Sequence, residues 1–406
     1  MKVLRRLVDR HAHHFEEGGR LERFAVVWEA GHTFLFTPGH VTRAAPHVRD
    51  GLDLKRVMMT VVIALAGCIF MAMYNTGLQA NLAIEGGALP LPGWRTSLFT
   101  AVGVPFDPAD AVACAMHGAM YYVPVLVVTF AVGLGWEMLF AAVRRHPLNE
   151  GFFVTGMLFP LILPASIPLW QVALGISFGV VIGKEVFGGT GMNIFNPALV
   201  ARAFLFFAYP AHISGNEVWV AAEPLVIDAM SGATPLVSAA AESLAPATPT
   251  WTDAFLGLVP GSMGETSTLA CIVGALLLVA TGVASWRIIV GVVGGTIVAA
   301  LTFNAIGSET NALFAMPFWW HFVLGGWAFG TVFMATDPVT ASQTQTGRWV
   351  YGAFIGVLVV VIRVVNPGYP EAMMLVILLM NLFAPVIDHV VVAANVRRRR
   401  RRRGPT

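Results

Sequence analysis

Long apolar runs dominate this sequence and constrain its fold more than any other feature. Of the 406 residues, 56% are hydrophobic and only 12% are charged, which is about half the charged share of an average soluble domain. The apolar residues are gathered in runs close to the roughly 17 to 25 residues that a helix needs to cross a bilayer. The sequence therefore predicts an all-α polytopic membrane protein.

Breaking these runs at proline, glycine and charged clusters predicts about ten transmembrane helices. Pro160, Pro164 and Pro168 interrupt the third and fourth runs, which could therefore form a re-entrant pair instead of two full spans. The predicted spans are 57–77, 117–141, 151–167, 169–187, 197–210, 267–283, 286–304, 319–336, 349–363 and 372–392.

Lysine and arginine indicate the orientation, since short cytoplasmic loops are enriched in them. With the N-terminus inside, most basic residues near the predicted spans fall inside, and the acidic loop 211–266, which has no Lys or Arg, falls outside. Arg95 and Arg363 are the exceptions. The basic residues predicted inside are Lys55, Arg56, Arg144, Arg145, Lys184, Arg202, Arg287, Arg348 and the run Arg397–Arg403.

Five predicted spans on each side of loop 211–266 give the two halves opposite orientations, as in inverted-repeat membrane proteins. Asn196 and Asn366, each followed by proline, precede the fifth and tenth spans on opposite sides, although two such dipeptides also arise by chance. The predicted divisions are a cytoplasmic N-terminal extension 1–54, a first transmembrane half 55–210, a periplasmic loop 211–266, a second transmembrane half 267–392 and a basic cytoplasmic tail 393–406.

A threonine in the long loop is the main candidate site. Asp228 is followed by a run of small residues that ends at Thr234 and Pro235. The proline restricts the threonine to extended conformations, so we expect an accessible hydroxyl. Taken alone, the pattern is more typical of a Ser/Gly/Thr turn than of a site.

The stretch from Asp228 through Ser231, Gly232 and Ala233 to Thr234 resembles the flavinylation motif at which a transferase moves the FMN unit of FAD onto threonine. Most of the chain resembles the family of flavinylated membrane subunits that includes the B subunit of the sodium-translocating NADH:quinone oxidoreductase and the D subunit of the Rnf complex. The stretches that carry this resemblance are Asn149–Phe153, Lys184–Gly191, Asn196–Ala198, Arg202–Phe204, Ala335–Val339, Arg363–Pro367 and Phe383–Pro385.

The resemblance implies a subunit of a redox-driven sodium pump in the bacterial inner membrane. Electrons from NADH would pass through FMN bound covalently to Thr234, and through a noncovalent riboflavin, to ubiquinone. The implied partners are the other subunits of the complex, a flavin transferase, sodium ion and quinone. The arginine tail is expected to contact anionic membrane lipid, not nucleic acid.

Two alternatives to this function remain open. The chain could be a D-type subunit of a ferredoxin:NAD oxidoreductase (Rnf) complex, or a non-redox channel or transporter with an inverted repeat. NADH oxidation itself is expected on other subunits, because this sequence contains no dinucleotide fingerprint.

Other candidate residues lie within or beside the apolar runs, where ionisable side chains are costly. Gly133, Gly135 and Glu137 are assigned to a quinone region by the resemblance. Asn196, after a glycine-rich stretch, is a candidate for the riboflavin region, with a close helix-packing turn as the equal alternative. Asp388 is a candidate for an ion pathway, with a water-facing interfacial position as its alternative.

Histidine and cysteine do not suggest a metal site. His321 lies among aromatic residues and is interpreted as part of an interfacial aromatic belt. Cys68, Cys114 and Cys271 lack the close paired spacing of a zinc or iron–sulfur site and are predicted to be packing residues.

Overall fold

The computed structural model describes residues 14–15, 19, 28, 54–144, 151–215, 218–223, 234–236, 249–366 and 371–402. These ranges are mostly helical. The helices are α1 (Leu54–Ala64), α2 (Ala66–Glu85), α3 (Trp94–Ala101), α4 (Ala111–Arg144), α5 (Gly151–Leu161), α6 (Leu169–Val181), α7 (Pro197–Ala208), α8 (Trp251–Leu256), α9 (Thr268–Ala280), α10 (Trp286–Ile306), α11 (Phe318–Val323), α12 (Trp327–Phe329), α13 (Gln345–Val365) and α14 (Met373–Arg402).

Among the described residues, six helices are long and apolar enough to cross a membrane, so the polytopic all-α architecture stands. They coincide with the predicted spans 57–77, 117–141, 169–187, 286–304, 349–363 and 372–392. Helices α1 and α2 act as one element, because the Leu65 N–H donates to the Val61 carbonyl at 3.0 Å across their junction.

Ten full-length spans are not found among the residues that the structure describes. Helices α5, α7 and α9 have 11, 12 and 13 residues. At 1.5 Å per residue they are shorter than the roughly 30 Å hydrocarbon core of a bilayer. The predicted spans 151–167, 197–210 and 267–283 are therefore too long.

The first interruption follows α5, where the three prolines predicted a break. Residues 162–168 are non-helical and largely buried. Their carbonyl groups need donors from elsewhere, because apolar surroundings supply no water. The Gly264 N–H donates to the Leu161 carbonyl at 2.7 Å, and the Met263 N–H donates to the Leu163 carbonyl at 3.1 Å.

The second interruption divides the predicted span 319–336 between α11 and α12. Gly325 and Gly326 both have φ of +62°, a conformation that favours glycine. The Arg363 guanidinium donates to the carbonyls of His321, Leu324 and Gly325 at 2.9, 2.7 and 3.1 Å. His321 is consequently buried inside the protein, and its assignment to an interfacial belt is wrong.

Glycines allow close helix contacts. On α10, a side-chain carbon at Gly295 would lie 2.2 Å from the Ala353 carbonyl oxygen of α13, whereas one at the neighbouring Gly294 would meet nothing within 4 Å. On α13, a side-chain carbon at Gly356 would lie 2.1 Å from the Val292 carbonyl oxygen. These two helices therefore pack through small residues, as is common between membrane helices.

One large apolar core joins the two halves of the chain. Within it, the Sγ atoms of Cys68 on α2 and Cys271 on α9 lie 3.9 Å apart. All three cysteines are buried and unbridged, which confirms their interpretation as packing residues.

The described parts of loop 211–266 pack onto the helices. Strand β1 (Leu89–Pro90) pairs antiparallel with strand β2 (Ala222–Glu223), a small departure from the all-α prediction. Thr250 and Asp253 form a reciprocal capping box that begins α8. Loop 211–266 therefore contributes ordered structure beside the apolar core.

We expect Gly295→Ala to destabilise the protein, because the added methyl group meets backbone of α13 that cannot rotate away. Overpacking of this kind costs roughly 1–3 kcal/mol. Gly294→Ala is the matched control, since its methyl group enters open space. Thermal unfolding in detergent should show a lower Tm for Gly295→Ala only; equal Tm values would contradict the close contact.

Candidate functional site

Thr234 lies in a pocket of the protein and not on an open loop. Its residue is 3% exposed. Leu236, two positions later, is fully buried in a cluster with Val323, Leu324 and Val360. The predicted accessible hydroxyl is therefore not observed, because the buried leucine draws the threonine against the helices. Asp228, Ser231, Gly232 and Ala233 lie outside the described residues.

Two acidic side chains and one arginine surround this pocket. The Thr234 hydroxyl donates a hydrogen bond to the Glu371 carboxylate. Arg202 Nη1 binds both carboxylate oxygens of Glu265, at 3.1 and 2.9 Å. Arg202 Nη2 contacts Ser262 Oγ at 3.2 Å and Glu371 Oε2 at 3.5 Å.

This cluster brings together two residues that the sequence predicts on opposite sides of the membrane. The sequence places Arg202 on the inner side, with Lys184, whereas its partner Glu265 belongs to the loop predicted outside. Arg202 lies near the middle of α7 and contacts Glu265, Ser262 and Glu371. Positive-inside counting treats each basic residue as solvent-exposed, and Arg202 is buried by its carboxylate partners.

Burial raises the pKa of the Glu371 carboxyl, although the nearby Arg202 guanidinium opposes this shift. Glu371 immediately precedes α14, and Arg363 adds a second positive charge in its vicinity. A carboxyl with a raised pKa can hold a proton at a higher pH than an exposed one.

The residues of this pocket are suited to an anionic group attached to the threonine. A phosphodiester needs a positive charge and hydrogen-bond donors. Ser262 lines the pocket with Thr234, and Arg202 binds Ser262 and also contacts Glu371, the residue that accepts the hydrogen bond from Thr234. The chemistry of this donor set therefore fits a phosphate-linked cofactor, which the resemblance alone could not test.

A second cluster of charges lies near the C-terminal end of α4. Lys184 forms a buried ion pair with Glu137. Arg144 Nη1 lies 3.3 Å from Glu185 Oε2. Glu137 on α4 and Glu185 after α6 are thus each paired with a basic residue from the other region. Glu137 is therefore both paired and buried.

The two glycines predicted beside Glu137 differ in their surroundings. A side-chain carbon at Gly133 would lie 2.1 Å from Phe152 Cζ, whereas one at Gly135 would meet nothing within 4 Å. Gly133 therefore serves close packing against α5. Nothing in the contacts of Gly135 requires glycine.

Asn196 begins α7 and contributes to a cavity between the two halves. Its side-chain oxygen accepts from the N–H groups of Ala198 and Leu199, which caps the helix. Its amide also reaches Asp337 Oδ2 at 3.5 Å. The cavity is lined on its polar side by Thr155, Lys184, Thr190, Asn193, Asn196, Thr336 and Asp337.

This cavity is too small for riboflavin as it stands. Its volume is about 70 Å³, whereas small-molecule sites typically enclose roughly 300–1,000 Å³. The amide, hydroxyl and carboxylate groups that line this cavity can form hydrogen bonds with the edge of a flavin. The cavity volume, however, is too small for the isoalloxazine ring system.

Asp388 acts as an acceptor for the segment that begins α13. Its carboxylate accepts hydrogen bonds from the Ser342 hydroxyl at 2.7 Å, the Gln343 N–H at 2.7 Å, and the Thr344 N–H and hydroxyl at 2.9 and 2.6 Å. These bonds give Asp388 a structural role whether or not it also lies on an ion pathway.

The sequence analysis did not single out three charged residues in or near the Thr234 pocket. Glu265 was counted only as part of an acidic loop, Glu371 was not singled out, and Arg363 was only an exception to the orientation rule. Their shared signal was an ionisable residue at the edge of an apolar run. Which charges pair, however, depends on segments distant in sequence.

Comparison with known proteins extends over nearly the whole chain. Residues 41–397 match the model of the NQR2, RnfD, RnfE family. The chain is 56% identical to the B subunit of the Na(+)-translocating NADH-quinone reductase of Pseudomonas paraeruginosa, over 99% of this chain and 100% of that protein. It is also 56% identical to the protein of the same name from Azotobacter vinelandii, over 97% and 98% of the two chains. This chain therefore belongs to the NQR2, RnfD, RnfE family.

Proposed function

We propose that this chain is the B-type membrane subunit of a sodium-translocating NADH:quinone oxidoreductase in a bacterial inner membrane. Full-length similarity to proteins named as that subunit carries the proposal. It favours this function over a D-type Rnf subunit and over a non-redox channel. The complex would carry electrons from NADH through flavins to ubiquinone and export sodium.

Thr234 is the proposed attachment point for FMN. Attachment forms a bond between Thr234 Oγ1 and the FMN phosphorus of FAD, and breaks the bond between that phosphorus and the bridging oxygen. AMP leaves with that oxygen, and the hydroxyl proton is released. A flavin transferase is the proposed catalyst, acting while the threonine segment is outside its pocket, since a docked Thr234 is too buried for an enzyme to reach.

Once attached, the flavin supplies one-electron and two-electron redox chemistry. The role of this chain is to hold it. A covalent tether keeps the cofactor at high local concentration near its redox partners without a deep binding pocket. Thr234 is therefore an anchor, and no side chain of its pocket is required to transfer electrons.

Glu137 and its neighbours are the proposed quinone region. The buried pair with Lys184 keeps the Glu137 carboxylate at a defined position next to Gly133 and Gly135. Asp388 remains a proposed member of the ion pathway, and riboflavin near Asn196 remains a proposal that requires the cavity there to expand.

We further propose a five-plus-five inverted topology with both termini in the cytoplasm and the flavin-bearing loop in the periplasm. The supporting feature is that each half contains an interrupted helix, after α5 in the first half and between α11 and α12 in the second. Interrupted helices at corresponding positions of two halves are typical of inverted-repeat membrane proteins.

NADH oxidation is assigned to partner chains. The relatives are named as subunits, which indicates assembly with other proteins. The purified chain alone should therefore contain flavin yet show little NADH-driven activity.

Intact mass spectrometry tests the flavin anchor. Chain purified from cells that contain the flavin transferase should be heavier than its sequence by one FMN unit less water. Thr234→Ala should have the unmodified mass, because it lacks the acceptor oxygen, while Thr234→Ser is the control that keeps a hydroxyl. An unmodified wild-type mass from such cells would refute the attachment.

Glu137→Gln should destabilise the protein, because it leaves the Lys184 charge buried without its partner. Breaking a buried pair in this way costs roughly 3–5 kcal/mol. The double variant Glu137→Gln/Lys184→Met removes both charges and should regain most of the lost stability, measured by thermal unfolding.

Activity then separates the structural role from the quinone role. If Glu137 serves the quinone, the double variant in the full complex should be folded yet have a higher KM for ubiquinone than wild type. A double variant with wild-type stability and a wild-type KM would mean that the pair is structural only.

A further inference from the structure

We propose that Arg202 binds the phosphodiester that links FMN to Thr234, and that the phosphate replaces Glu371 as the second partner of this arginine. This inference rests on the proposed flavin attachment and adds a binding site for the cofactor's phosphate. Arg202 is a positioning residue here: it would fix where the tether begins and take no part in electron transfer.

The position of Thr234 follows from the burial of Leu236. The leucine side chain is fully enclosed, and a side-chain carbon at Gly325 would lie only 2.6 Å from Leu236 Cδ2, so glycine makes room for it. Two residues of extended chain span at most about 7 Å. While Leu236 stays in place, Thr234 is held within this distance of it, so a phosphorus bonded to the Thr234 oxygen also stays beside the pocket that Ser262 and Glu371 line.

Arg202 is already held in position for a second ligand. Its Nη1 is occupied by both oxygens of Glu265, which fixes the plane of the guanidinium. Its Nη2 donates to Ser262 Oγ at 3.2 Å and contacts Glu371 Oε2 at the longer distance of 3.5 Å. A phosphate oxygen is a strong acceptor for an arginine donor, so it can displace the weaker of the two carboxylates.

The charges of the pocket remain compatible with an added anion. Before attachment, Glu371 accepts a hydrogen bond from the Thr234 hydroxyl. Afterwards that hydroxyl proton is gone, and an ionised Glu371 would repel the phosphate. Burial raises the pKa of Glu371, which favours uptake of a proton from solvent. A protonated Glu371 can then donate to a phosphate oxygen, with Arg202 and Arg363 as the nearby cations.

Quenching of flavin fluorescence by neutral acrylamide tests this inference. The full-length chain is produced with the flavin transferase, and loading is followed by intact mass. Thr234→Ala provides the background from noncovalent flavin. The test variants are Arg202→Gln, Arg202→Lys and the double variant Arg202→Gln/Glu265→Gln, which avoids a lone buried carboxylate. Arg287→Gln is the control for loss of an arginine in another part of the chain.

The fraction of covalent flavin whose fluorescence acrylamide can quench should rise roughly tenfold in Arg202→Gln and in the double variant. This is the effect expected for loss of one hydrogen bond to a charged group. Arg202→Lys should restore part of the protection, and Arg287→Gln should match wild type. Glu371→Gln should also stay protected, because an amide imitates the protonated carboxyl.

Two results would overturn the inference. One is a double variant, loaded and folded, whose flavin is as protected as in wild type. The other is loss of loading in folded Arg202 variants, which would mean that Arg202 acts in attachment. Absence of covalent flavin from the wild-type chain is a different outcome, since it refutes the flavin anchor itself.

Discussion

The rest of the structure depends on how buried, non-helical backbone obtains hydrogen-bond donors that a helix would otherwise supply. Two stretches of non-helical chain, 162–168 and 324–326, interrupt apolar helical segments, and both contain buried backbone. An unsatisfied carbonyl there costs several kcal/mol. The donors come from distant parts of the sequence: the N–H groups of Met263 and Gly264 for the first stretch, and the guanidinium of Arg363 for the second.

The hydrogen bonds at these two breaks also position the pocket that holds Thr234. Segment 258–266 must lie against the first break to supply its donors, and it thereby brings Glu265 to Arg202. The second break needs glycine at 325 for its backbone conformation, and the same missing side chain leaves the space that Leu236 occupies. The location of Thr234 is thus a consequence of how two interrupted helices satisfy their hydrogen bonds.

Sequence patterns predicted the long helices well and the short ones poorly. The run that became α13 ends within two residues of its predicted limit at Arg363, because apolar length and flanking polar residues mark a full span. The span predicted at 319–336 failed, since Gly325 and Gly326 look like ordinary small residues in an apolar run. Charge counting also separates Arg202 from Glu265, because it assumes water around each basic residue, whereas Arg202 is buried against Glu265.

Apolar length and short motifs are local properties of the chain, so the sequence alone predicts a membrane protein, its main helices and, through motif resemblance, the threonine that we propose carries FMN. The burial of this threonine, the hydrogen bond from its hydroxyl to Glu371, and the contact of Glu371 with Arg202 become visible only in the folded structure. Those facts depend on contacts between residues separated by up to 169 positions along the chain. No local sequence pattern predicts these long-range contacts. They depend on how the helices pack and on which residues donate hydrogen bonds to the interrupted segments.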